Sequence, residues 1–83
     1  MTESATDRWT GAATKVLVGR KVVAVRYMTT EEAEAHGWVS RPLVIQLDNG
    51  LIVYPSRDDE GNDGGALFTN DNGLDTIPVI RDY

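Results

Sequence analysis

The sequence predicts an α+β fold: a small, curled antiparallel sheet or partly open β-barrel of four or five strands, with an N-terminal helix and a short helix after the first strand. Three observations carry this. Residues 20–28 and 43–54 are dominated by β-branched and large apolar residues, and the second stretch is broken by Asp48-Asn49-Gly50. Trp9, Ala12 or Ala13, Val16 and Leu17 recur at helical spacing ahead of Gly19. Thr29-Thr30-Glu31-Glu32 carries the residues of a helix capping box.

In chain order, residues 1–6 are expected to fray, and a helix is expected from residue 6 or 7 to 18, closed by Gly19 and docked by Trp9. Residues 20–28 form the first strand. Both its faces are of mixed polarity, so both are partly covered or a bulge switches the register. A two-turn helix follows, capped by Thr29 and Glu32, ended by Gly37 and pinned by Ala33 and Trp38. Arg41 is read as a surface charge beside the acidic loop, and Pro42 as the extended entry to the next strand.

Asn49-Gly50 suits a two-residue type I′ hairpin turn. That turn places Leu47 opposite Ile52 and Ile45 opposite Tyr54. Leu43, Ile45, Leu47, Ile52 and Tyr54 then form the core face, and Val44, Gln46, Asp48, Leu51 and Val53 form a mixed second face. Residues 56–75 read as a long polar, glycine-rich loop with a brief apolar return at Ala66-Leu67-Phe68. Residues 76–80 read as a last strand, at an edge or bulged because Pro78 cannot donate to a ladder. No internal repeat is read.

The 83 residues fit one domain, and the absence of cysteine excludes disulfides, thiolate nucleophiles and Cys-based metal sites. His36 is the only histidine, so no multi-histidine site can form within one chain. Neither a signal peptide nor a membrane-spanning stretch is read, and the expected location is the cytoplasm. The net charge of −5 is concentrated in residues 48–83, where eight acidic residues face two arginines, and this disfavours a nucleic-acid partner. Lys15, Arg20, Lys21 and Arg26 read as the wet side of the first helix and strand.

Tyr27-Met28-Thr29-Thr30-Glu31-Glu32, Gly37-Trp38, Arg41-Pro42-Leu43-Val44-Ile45 and Asp58-Asp59-Glu60-Gly61-Asn62 resemble segments of small bacterial proteins of unassigned function. The resemblance covers most of residues 16–80 and implies no activity.

Three functional readings follow. In the first, the chain is a non-catalytic module for protein interaction or self-association, with a protein partner or a second copy. Its interface candidates are Val44, Leu51 and Val53 on the second hairpin face, together with Trp38; either tryptophan becomes the first candidate if exposed. In the second, Arg57, Asp58, Asp59, Glu60, Asn62 and Asp63 bind a divalent cation such as Ca²⁺ or a small ligand. Counted from Asp59, however, position 12 is Asn70, and counted from Asp58 the turn glycine is replaced by Asp63, so the spacing is not that of an EF-hand. In the third, the same loop serves a small enzyme with paired carboxylates and Arg57 as anion clamp. A glycine-rich surface loop supplies little of the burial that separates carboxylate pKa values, and no motif pairs Ser56 with His36. A solvated turn capped by its own Asp and Asn side chains explains the loop without any ligand.

Overall fold

The computed structural model describes residues 4–82. It is an α+β arrangement in which an N-terminal helix, α1 (Ala5–Leu17), precedes several small antiparallel sheets. After α1 come β1 (Val22–Tyr27), α2 (Thr30–Ala35), β2 (Ser40–Arg41), β3 (Leu43–Leu47), β4 (Ile52–Val53), β5 (Leu67–Asp71), β6 (Leu74–Ile77) and β7 (Ile80–Arg81). The strands form one three-stranded sheet in the order β1-β3-β4 and two pairs, β2-β7 and β5-β6. This corrects the single sheet of four or five strands, and among the described residues no ladder closes into a barrel.

α1 begins earlier than its apolar spacing indicates, because the Ser4 hydroxyl accepts from the Asp7 amide and caps the first turn. Residues 4–6, expected to fray, are therefore ordered; residues 1–3 lie outside the described residues. α2 forms as read: Thr29 accepts from the Glu32 amide, the Glu32 carboxylate accepts from the Thr29 amide, and Gly37 (φ 76°) ends it. Ala33 and Trp38 are buried and hold α2 to the sheet.

The hairpin departs from its expected register by one residue. β3 pairs with β4 as Ile45 with Val53 and Gln46 with Ile52. The type I′ turn requires positive φ at Asn49, yet among the described residues only glycines have positive φ, and Gly50 stands at 85°. The Gly50 amide donates to the Leu47 carbonyl (3.1 Å) and the Leu47 amide to the Leu51 carbonyl (2.9 Å). This is a three-residue connection, a turn over Asp48 and Asn49 followed by a left-handed glycine bulge. Two bonds favour it: the Asp48 amide donates to the carbonyl of Lys21, just before β1 (2.9 Å), and the Asn49 side chain accepts from the Leu51 amide (3.1 Å).

Because side chains alternate, a one-residue slip exchanges the faces of β4. Ile52 and Tyr54 move to the face of Val44, while Val53 and Leu51 join Leu43, Ile45 and Leu47. The core lies on the Val44 face, where Met28, Ala33, Trp38 and Val44 form a buried cluster with Tyr54 packed against it. The expected core set is thus corrected in part: Leu47 is buried (6%) and Tyr54 packs on the cluster, whereas Ile52 is 45% exposed and Leu43 and Ile45 are only half-buried.

β1 pairs with β3 through Val25–Ile45 and Tyr27–Leu43, with a register shift between Val22 and Ala24 that realises the bulge alternative. Residues 69–75 are not loop. β5 and β6 form a second hairpin around Asn72-Gly73, which repeats the tetrapeptide Asp-Asn-Gly-Leu of the first. The last expected strand is split at Pro78: the part before it pairs with β5 and the part after it with β2.

Candidate functional site

The acidic loop is an ordered part of the scaffold. Ser56 bridges to Gly64, the Arg57 amide donates to the Asp63 carbonyl (3.0 Å), and the Gly65 amide donates to the Pro55 carbonyl (3.0 Å). A Cβ on Gly64 would lie 2.6 Å from both Pro42 Cδ and the Ser40 carbonyl, so the loop backbone sits directly against β2 and Pro42. Trp38 Nε1 donates to the Gly61 carbonyl (2.7 Å), tying the loop tip to the core.

Its two best-placed carboxylates are already occupied. Asp63 accepts from the amides of Ser40 (2.9 Å), Val39 (3.2 Å) and Gly64 (2.9 Å) and from the Ser40 hydroxyl (2.9 Å). Partial desolvation pushes the Asp63 carboxyl up, but the donors of Ser40, Gly64 and Val39 together outweigh it and hold it below the usual carboxylate range. Asp58 accepts from the Asn62 side chain (2.8 Å), the Asn62 amide (3.2 Å) and the Glu60 amide (3.0 Å), and the Asn62 donors hold its carboxyl low. Arg57, Asp59, Glu60 and Asn62 are exposed, and Arg57 reaches only Asp58, at 3.7 Å. Among the described residues no three His, Asp or Glu side chains gather as a metal site would require. Asp58 and Asp63 thus cap backbone and side-chain groups at the two ends of the loop tip.

Ser56 and His36 are engaged elsewhere and not with each other. The Ser56 hydroxyl donates to the Asp63 carbonyl (3.1 Å), and His36 stacks on Trp38 with ring centroids 4.7 Å apart. Arg41, expected beside the acidic loop, instead forms a two-pronged pair with Asp82 (2.7 and 3.1 Å) and donates to the Met28 carbonyl (3.0 Å). With Thr30, Ala33, Glu34 and Trp38 these residues line an open cleft of about 200 Å³ in which the arginine is already satisfied. Sequence reasoning missed Asp82, because a pair 41 residues apart leaves no local signal.

The interface candidates divide. Val44 (1% exposed) and Trp38 (6%) are core and offer nothing to a partner. Leu51 and half-buried Val53 lie with Val22, Val25, Ile45 and Leu47 on the sheet face opposite the Met28-Trp38-Val44 cluster, where Leu47 is buried and Val22, Val25 and Leu51 are open to solvent. Val22 and Val25 are 60% and 57% exposed. Directly upstream, α1 buries none of its residues: Trp9 is 65% exposed, and Val16 and Leu17 are also open to solvent. Trp9, expected to dock α1, is therefore the leading interface candidate, with Arg8 against its ring at 5.3 Å. No family model matches this chain, and neither the curated proteins nor the solved structures contain a match.

Proposed function

We propose that the chain is a non-catalytic interaction module that engages protein partners through α1 and the exposed part of the β1-β3-β4 sheet around Val22, Val25 and Leu51. The supporting observation is the imbalance between core and surface. Five apolar residues are buried, whereas twelve large apolar residues among the described ones are exposed, seven of them within residues 9–25. Scattered exposed apolar residues are ordinary in a small protein, but a contiguous run of them on one helix and the adjoining strand marks a contact surface. The acidic loop enters this reading as scaffold, since its central carboxylates are spent on holding Ser40 and the loop backbone.

Residues that serve contact rather than folding can be truncated without unfolding the chain. At high dilution the wild type is expected to take up an apolar dye such as anilinonaphthalene sulfonate. The Trp9→Ser, Val25→Ser double variant should take up several-fold less, with an unchanged urea midpoint. A double variant with the midpoint loss of a core substitution, or a wild type that ignores the dye at high dilution, would refute this reading.

A further inference from the structure

We infer that the occupant of this surface is a second copy of the chain, with α1 of each copy laid on the exposed part of the other's sheet face, around Val22, Val25 and Leu51. The inference rests on the interaction-module reading and names its partner.

Area is the first argument. The chain exposes 6331 Å², whereas a folded monomer of its mass exposes about 4,900 Å². The surplus of about 1,400 Å² per chain exceeds the roughly 800 Å² that each partner contributes to a standard interface and falls in the range of permanent homodimers.

The second argument is that α1 needs a covering surface. Thirteen residues with Gly11 in mid-helix are marginal alone in water, and α1 gains no buried side chain from its own chain. The third is self-complementarity. A twofold dimer requires one chain to carry both halves of the contact, and here a helix with Trp9, Val16 and Leu17 on one side adjoins a sheet face of Val22, Val25, Ile45 and Val53. A 13-residue helix and a six-residue strand are both about 20 Å long, so the two surfaces match in length. The connection, residues 18–21, is exposed throughout and turns at Gly19 (φ 81°), and α1 has no side chain buried against its own sheet.

The full chain is measured by light scattering over a wide concentration range, and by cross-linking. The chain has no cysteine, so single ones can be placed without background. The expected results are a dimer mass that falls toward the monomer on dilution and a Trp9→Ser variant whose self-association is weakened about 30-fold or more. A mixture of Val16→Cys and Val25→Cys chains should form a disulfide between the two variants, and neither variant should form one alone. A monomer at every concentration overturns the inference while leaving the interaction module standing if the dye still binds. Val16→Cys chains that cross-link to each other overturn the exchanged geometry, as does a monomeric Val16→Cys, Val25→Cys double variant that cross-links within itself.

Discussion

At Asp63 one carboxylate meets three amides and a hydroxyl, and two of those donors belong to Ser40, which has no exposed surface. Removing the carboxylate leaves the Ser40 amide and hydroxyl without partners in a place water cannot reach. Asp63→Ala is expected to cost about 1–3 kcal/mol in a urea titration. Asp59→Ala, at an exposed position with no such bonds, should stay within about 0.5 kcal/mol of wild type. The acidic run was legible from residues 58–63, but the division of labour inside it was not. Asp58 and Asp63 look alike in sequence, and only the fold brings Ser40 and Val39 to one of them while leaving the other to cap its own turn.

The two hairpins show what a local motif determines. Asp48-Asn49-Gly50-Leu51 and Asp71-Asn72-Gly73-Leu74 share a tetrapeptide and both reverse the chain. In the first the glycine is left-handed at 85°, whereas in the second Gly73 has no positive φ. The motif therefore marks the reversal, while neighbouring hydrogen bonds choose the turn. The existence of the β3-β4 hairpin was readable, but its register depended on an amide bond from Asp48 to Lys21, a long-range contact no local pattern encodes. The second hairpin was readable from the same motif and was obscured by the polar residues around it. Helix α2 was legible because every part of its cap lies within four residues. Gly50→Ala forces a side chain into the left-handed region and is expected to cost about 1–2 kcal/mol, read from the urea midpoint. Asn49→Gly should cost about 1 kcal/mol, because it removes the side-chain acceptor of the Leu51 amide and no positive φ at residue 49 offsets the loss.

Over the whole molecule, the radius of gyration is 14.6 Å against about 12 Å for a compact chain of this length, because α1 stands apart from the sheets. The placement of α1 was the least legible feature: its periodicity predicts a helix with an apolar side but not what that side meets. Charge acts at the same scale. The Arg26 side chain (2.7 and 3.0 Å) and the Thr29 amide hold the Glu32 carboxyl down to about 2, and Arg41 holds Asp82 below its usual range. Each lowered carboxylate contributes stability that is complete above its unfolded value, near 4, and is lost as pH falls through its folded value. The urea midpoint should therefore decline from about pH 4.5 toward pH 2. Glu32→Gln should lower the neutral-pH midpoint slightly and flatten that decline; an unchanged acid slope would show that Glu32 takes no part in it.

The chain's two tryptophans stand in opposite surroundings, Trp9 in water at 65% exposure and Trp38 closed in at 6% with its ring nitrogen bonded to Gly61. Their emission is thus naturally divided into a long-wavelength component from α1 and a short-wavelength one from the core. A soluble quencher such as iodide reaches only the first. Covering of α1 and loosening of residues 57–65 can therefore be followed separately in one unlabelled sample, each as a change in its own band.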